Sequence, residues 1–233
     1  MHNGGRRRSG QGRWGAATGA LEEPMDAFPA FVPLAGRRVI IVGDGEMAEG
    51  KAVLFAGSPA ELVRLPDGAA ALDPATYAGA ALVFIASPDE AMAIAFADAA
   101  RAGGAMLVNV VDRPAYCDFY TPALVDRGAV VAAVGTTGSG PLLAGRLKGQ
   151  IDRVMPTRVG ELALMLKALQ GEVRARFPDF GARKAFLATL LDGPAAAAAL
   201  AGDAVEGERL ARAALASHDG PQTLPLGDGA LTV

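Results

Sequence analysis

The run Arg37-Arg38-Val39-Ile40-Ile41-Val42-Gly43-Asp44-Gly45-Glu46-Met47-Ala48 decides the fold. Residues 37–43 are a short β-branched stretch closing on glycine, and residues 48–57 (AEGKAVLFAG) change to helical spacing, so the pair reads as strand then helix. Between them lies a G-x-G-x-x-A turn. Gly43 suits a tight turn, Gly45 lets backbone approach a pyrophosphate closely, and Ala48 is small enough for helix to meet strand. A phosphate would take its hydrogen bonds from the helix N-terminus, with Asp44 and Glu46 turned outward. A glycine turn without a ligand satisfies the same residues, so the loop by itself leaves two readings.

Working outward, AELVRL (60–65), ALVFIAS (81–87) and AMLVNVV (105–111) are further strand-length apolar runs. SPDEAMAIAFADAARAGG (87–104) is read as a helix with Ser87 as N-cap, Pro88 at its first position, Glu90 completing a capping box and Gly103 as its stop. Strands alternating with helices from 38 to 111 predict a parallel sheet with helices on its faces. DFYTPALV (118–125) and GAVVAAVG (128–135) follow each other without a helix between them, which predicts an antiparallel pair outside that sheet. From Pro141 the spacing is helical: 141–155, then 157–177 from a Thr157 cap, then 182–191, then the Ala-rich 195–216. The expected organisation is a tail over 1–24, a Rossmann-type α/β lobe over 25–115, a β region over 116–140, a helical lobe over 141–215 and a tail over 216–233.

Composition bounds the chemistry. The chain has 233 residues, 51% apolar and 20% charged, and a mean hydropathy of +0.26, so it should fold rather than stay disordered. The longest apolar runs are strand-length, well short of the roughly 18 residues a spanning helix requires. Neither a membrane nor a nucleic acid is expected as a partner, since from Met25 onward 18 basic residues face 23 acidic ones. Cys117 is the one cysteine and His2 and His218 are the two histidines, so neither a disulfide nor a fixed metal cage is expected, and the reducing cytoplasm is the natural compartment. Residues 1–24 hold six Gly and four Arg and read as a solvated tail. Arg6, Arg7 and Arg8 lack the apolar stretch of a twin-arginine signal, and Met25 is the expected natural start.

Charge is uneven along the chain. Arg146 to Lys184 carries nine bases and four acids, whereas Ala185 onward carries two bases and six acids. The first stretch suits a polyanion and equally suits solvated helix faces. Asp112 follows the fourth strand, at the carboxyl end where open parallel sheets bind ligands, although Asp-Arg-Pro is also ordinary turn chemistry. A ribose-binding acid is expected at the end of the second strand, where the sequence has Val63-Arg64-Leu65. Arg64 is able to meet a 2′-phosphate, which leaves NAD and NADP both open. Gly135-Thr136-Thr137-Gly138-Ser139-Gly140-Pro141 is a glycine-rich loop suited to anion contact or to capping the helix it enters.

Taken together, FPAFVPLAGRRVIIVGDGEMAEGKA (28–52), VNVVDRP (108–114), CDFYTPALVDRG (117–128) and VGTTGSGPLLAGRLKGQI (134–151) resemble the siroheme synthase family, specifically its precorrin-2 dehydrogenase and sirohydrochlorin ferrochelatase module. The resemblance covers roughly residues 25–190. It implies NAD-dependent oxidation of precorrin-2 to sirohydrochlorin, followed by insertion of Fe²⁺ as a substrate, in a homodimer joined through the β region 116–140. It also implies that Gly43, Gly45, Glu46 and Met47 hold the cofactor, that Asp112 serves both dehydrogenation and chelation, and that Thr136 lies near the tetrapyrrole. With the residue reading, Ala48, Arg64 and Leu65 join the cofactor set, and Asn109, Thr137, Gly138 and Ser139 join the substrate set.

Three features depart from that family. The stretch 66–80 between second and third strands is short, so one helix-strand unit is expected to be lost or reduced. The loop reads TTGSGP where the family has a pattern nearer STGGxSP, and no histidine lies in the body of the chain. Without the methyltransferase domain fused in some relatives, the chain is not expected to make precorrin-2. The substrate and product carry eight carboxylates, which gives the basic stretch a concrete partner. A dehydrogenase without chelatase activity and an NAD-sensing regulator are the alternatives.

Overall fold

A computed structural model of the chain describes residues 25–217. The readings made for residues 1–24 and 218–233, His2 and His218 among them, lie outside the described residues. Residues 25–31 form a short irregular segment in a unit separate from the one that begins at Val32.

Four parallel strands make the main sheet: β1 (Arg38–Val42), β2 (Glu61–Leu65), β3 (Ala80–Ile85) and β4 (Leu107–Val110), in the order β2-β1-β3-β4. β1 and β3 are central and almost wholly buried, which explains why they read as unbroken β-branched and aromatic runs. Their side chains alternate between two cores. Ile40, Val42, Val83, Ile85, Val108 and Val110 meet Ala93, Phe96, Ala97 and Ala100 of helix α3 (Glu90–Ala102). Val39, Ile41, Leu82 and Phe84 face the opposite way, toward Ala48 of helix α1 (Glu46–Ala52) and Phe119. Each fully buried large side chain contributes about 1.5–3 kcal/mol of apolar burial. The sheet core is therefore a deep reservoir of stability on which strained loops can be mounted.

The connection from β2 to β3 is reduced to a single turn of helix, α2 (Ala69–Leu72), and a 3₁₀ turn at Pro74–Tyr77. Tyr77 plugs the sheet face that a longer helix would cover: it is 0% exposed, and its hydroxyl donates to the Ala71 carbonyl at 2.7 Å.

Beyond the sheet, β5 (Ala123–Arg127) and β6 (Val130–Val134) form the antiparallel pair, turned at Gly128. Helix α4 (Pro141–Val154) is tied to this hairpin by Arg127, whose guanidinium donates to Asp152 Oδ1 at 2.7 Å. Helix α5 (Val159–Arg176) lies so close to it that a β-carbon on Gly160 would sit 1.8 Å from the Arg127 carbonyl oxygen. Leu162, Met165, Leu169 and Val173 of α5 then build a second core with Phe186 and Leu190 of α6 (Phe180–Leu191), with α7 (Pro194–Ala201) and with α8 (Ala204–Ser217).

Four local expectations need correction. Ser87 does not cap α3: Asp89 accepts from the Met92 N–H at 2.9 Å, while Ser87 is fully buried at the end of β3. Thr157 does not cap α5: Arg158 stands at the N-cap without a side-chain bond, and the Val159 N–H donates to the Pro156 carbonyl at 3.2 Å. The Ala-rich stretch is two helices, broken where Gly202 turns left-handed (φ 100°) and Asp203 caps the next helix by accepting from the Glu206 N–H at 2.9 Å. That second helix, α8, continues through Ser217, two residues into the stretch read as tail.

Among the described residues no single helix is long and apolar enough to cross a membrane; the bent pair α6–α7 comes nearest and buries its apolar side in the helical core.

Candidate functional site

In-register pairing aligns the carboxyl ends of the sheet: Val42 lies beside Leu65 and Ile85, and Ile85 beside Val110. The loops after all four strands therefore leave one edge. Gly43 donates from its N–H to the Leu65 carbonyl at 2.9 Å, so the glycine turn is bonded to the end of β2. It adopts φ 111°, and a β-carbon there would lie 2.4 Å from the Ala86 carbonyl oxygen, which leaves glycine as the fitting residue. Gly45, at φ 82°, has nothing within 4 Å of its notional β-carbon. The turn is thus closed on the protein side and open on the solvent side. Ala48 is 0% exposed, Met47 packs partly into the α1 core, and Asp44 and Glu46 are exposed. Open space at Gly45 beside the start of α1 fits a dinucleotide pyrophosphate.

At the end of β2, Arg64 is already engaged, its guanidinium donating to Glu49 Oε1 at 2.8 Å. This bond and its charge hold the Glu49 carboxyl below its ordinary range. Leu65 is half-buried against the α3 core.

Asp112 is exposed and adopts φ 60°, one of two described non-glycine residues in the left-handed region. Its turn is held from both sides. The Val111 N–H donates to the Ile85 carbonyl at 2.9 Å, and the Arg113 guanidinium donates to the carbonyls of Ser87 (3.1 Å) and Pro88 (2.9 Å). Such strain in a clamped loop is characteristic of functional positions.

The second strained residue is Thr137 (φ 49°), in the glycine-rich loop. Ser139 closes that loop, donating through its N–H (2.8 Å) and its hydroxyl (2.9 Å) to the Thr136 carbonyl. A β-carbon on Gly138 would lie 3.8 Å from Pro114 Cγ, so Thr136–Ser139 sit beside the turn that carries Asp112.

Asn109 differs from its expected role. It is 6% exposed, and its amide nitrogen donates to the Phe119 carbonyl at 2.9 Å and lies 3.4 Å from Cys117 Sγ. Through this amide nitrogen it fastens segment 117–119 to the open edge of β4. Cys117 serves the same edge, accepting from the Val110 N–H at 3.2 Å; burial pushes its thiol up.

Lys51 escaped the sequence reading. It lies on α1 with its ammonium half-buried, 5.8 Å over the centre of the Phe84 ring and 3.5 Å from Thr121 Oγ1. Loss of hydration pulls its pKa below the ordinary lysine value, against the opposing pull of the charge on Asp112. The available signal was a lysine inside the otherwise apolar run Lys51–Phe55. In the basic stretch, Arg158 pairs with Glu161 at 2.8 Å and Arg183 donates to the Phe177 carbonyl at 2.9 Å. Arg146, Lys148 and Arg153 of α4 make no ion pair within 4.0 Å among the described residues. Those residues also contain no group of three His, Cys, Asp or Glu side chains able to hold a metal.

A parallel sheet with a glycine turn after its first strand and helices on both faces defines a Rossmann-like dinucleotide-binding protein with an appended helical lobe. Comparison with known proteins agrees. Residues 30–123 match the family model described as putative NAD(P)-binding, and residues 158–215, on α5–α8, match the sirohaem synthase dimerisation region. Siroheme synthase of Methylococcus capsulatus is 38% identical over 203 residues, covering 80% of this chain and 43% of that protein. The Pseudomonas putida protein is 35% identical over 206 residues, 81% of this chain and 44% of that protein. A solved structure of SirC, a precorrin-2 dehydrogenase, shares the fold with a TM-score of 0.64 at 16% identity, covering 82% of this chain and 100% of that one. Over four fifths of its length the chain is thus similar to siroheme synthases, and it spans under half the length of those proteins.

Proposed function

We propose that this chain binds NAD at the Gly43–Ala48 turn and oxidises precorrin-2 to sirohydrochlorin, with Asp112 as proton acceptor. The observation that carries this reading is the exposed Asp112 carboxylate, held at φ 60° by a clamped turn on the edge where the glycine loop also emerges. The oxidation removes a hydride and a proton from the macrocycle, and a bound nicotinamide supplies the hydride acceptor. Asp112 takes the proton. Gly43, Gly45 and Ala48 admit the pyrophosphate, while Glu46, Met47, Arg64 and Leu65 border the rest of the cofactor. Because Arg64 is already bonded to Glu49, a 2′-phosphate would have to break that pair, which favours NAD over NADP.

Thr136, Thr137, Gly138 and Ser139 border the tetrapyrrole beside Asp112, and bases of the stretch from Arg146 to Lys184 receive its acid arms through charge-assisted hydrogen bonds. Fe²⁺ enters as a substrate in a second step, with the exposed Asp112 carboxylate accepting the two pyrrole protons one at a time and passing each to water. The match of α5–α8 to a dimerisation region supports a homodimer, with contacts on the helical lobe outside the β region 116–140. The lone half-buried thiol suits the reducing cytoplasm. The test is anaerobic incubation with precorrin-2 and NAD, followed by visible spectroscopy before and after Fe²⁺ is added. NAD-dependent formation of sirohydrochlorin is expected, and metal insertion faster than the spontaneous rate adds the chelatase step. No spectral change from folded, dimeric protein overturns the reading.

A further inference from the structure

Lys51 is the charged group that the preceding reading leaves unused. An ammonium drawn out of water is costly unless its three donors find acceptors. Here one donor reaches Thr121 Oγ1 at the long distance of 3.5 Å, and the Phe84 ring face lies at 5.8 Å. No carboxylate comes within 4.0 Å of Lys51 Nζ among the described residues. The titratable groups that face it are Asp112 and Cys117, both from the segment that follows β4. The cation therefore sits six residues past Gly45, away from the Arg64 end of the turn and on the Asp112 side, with hydrogen-bonding capacity unspent.

We propose that Lys51 receives a carboxylate arm of the substrate and so seats the macrocycle against Asp112. This rests on the polycarboxylate substrate proposed above and adds a residue that neither the glycine motif nor the basic helical stretch supplies. Burial between α1, Phe84 and Thr121 makes the ammonium selective: a carboxylate entering there replaces lost hydration, and the aromatic floor keeps competing water out. Asp112 is near enough to stabilise the charge and too far to satisfy it.

The test uses the full chain, with Lys51→Met and Lys51→Arg. Uroporphyrin, a fluorescent tetrapyrrole with eight carboxylates, reports binding without turnover, and NAD titration and precorrin-2 kinetics are run in parallel. Lys51→Met is expected to weaken uroporphyrin binding and raise the precorrin-2 KM about tenfold or more, with NAD affinity within about twofold of the parent. Because Lys51 titrates below an ordinary lysine, parental affinity should fall at moderately alkaline pH, whereas Lys51→Arg should hold its affinity there.

Unchanged uroporphyrin binding and KM in Lys51→Met overturn the inference while leaving the dehydrogenase reading intact. An equal loss of NAD affinity also overturns it, by making Lys51 a cofactor or folding residue. Parent protein that binds uroporphyrin through Lys51 but does not oxidise precorrin-2 defeats the dehydrogenase reading alone; parent protein that does neither defeats both.

Discussion

Gly43 and Ala86 stand so close that a β-carbon on the glycine would lie 2.4 Å from the alanine carbonyl oxygen. The contact joins the turn after β1 to the end of β3, so the glycine turn inherits its position from the two most buried strands. Gly43→Ala must therefore move backbone as well as adopt φ 111°, and a loss of about 2–4 kcal/mol is expected. Thermal melting should fall by roughly 4–16 °C, with NAD affinity falling too.

Gly45 separates the two effects. Its β-carbon position is open, but φ 82° with ψ −168° is backbone that essentially only glycine adopts, so an aspartate costs about 1–3 kcal/mol. Gly45→Asp and Gly45→Ala are expected to melt equally, roughly 2–12 °C below the parent, yet the aspartate alone should weaken NAD binding at least about a hundredfold further, through repulsion of the pyrophosphate. Calorimetric titration and thermal melts on the same sample decide it; parental NAD affinity would move the nucleotide away from this turn.

Asp112→Gly is a sharper test of the carboxylate than an alanine substitution. Glycine relieves the φ 60° strain but adds freedom to the unfolded chain, so stability should change by less than about 1 kcal/mol. NAD binding should persist. Precorrin-2 oxidation should fall at least about a hundredfold, because only the proton acceptor is gone. Retained turnover in this folded variant removes Asp112 from the reaction.

What was legible in the sequence is what depends on local pattern. The four strands, the glycine turn and the position of Asp112 all follow from apolar runs and the residues that end them. Side-chain partnerships were not legible, because they form only after distant segments meet. Asn109 reads as a substrate contact, yet it is buried and segment 117–119 claims its amide nitrogen. Lys51 meets Phe84 and Thr121 only once three separate segments come together, so no local pattern marks these partners.

Ser87 gives that lesson a measurement. Its hydroxyl is buried and donates to Asp67 Oδ2 at 2.6 Å, twenty residues away, while Asp89 performs the capping. Double-mutant cycles in urea should find coupling of about 1 kcal/mol or more between Ser87→Ala and Asp67→Ala. Coupling between Ser87→Ala and Asp89→Ala should be near zero, with Asp89→Ala alone costing about 1 kcal/mol. The reverse pattern would restore Ser87 as the cap.

Tyr77 predicts an alkaline step in stability. Burial pushes its phenol up to about 12, and its hydroxyl donates to the Ala71 carbonyl beneath the shortened β2–β3 connection. The folded state therefore holds the proton more tightly than the unfolded chain, whose tyrosine titrates near 10. Stability from this group is complete below about pH 10 and declines as pH rises through about 12, because ionisation favours the unfolded chain; the full loss is about 2–3 kcal/mol. Tyr77→Phe keeps the ring in the sheet core but removes both the hydrogen bond and the proton. Its stability should start about 1 kcal/mol lower at neutral pH and lack this tyrosine's share of the alkaline decline. Urea titrations of both proteins between pH 8 and 12 check this, and parallel curves would mean that the Tyr77 hydroxyl reaches water.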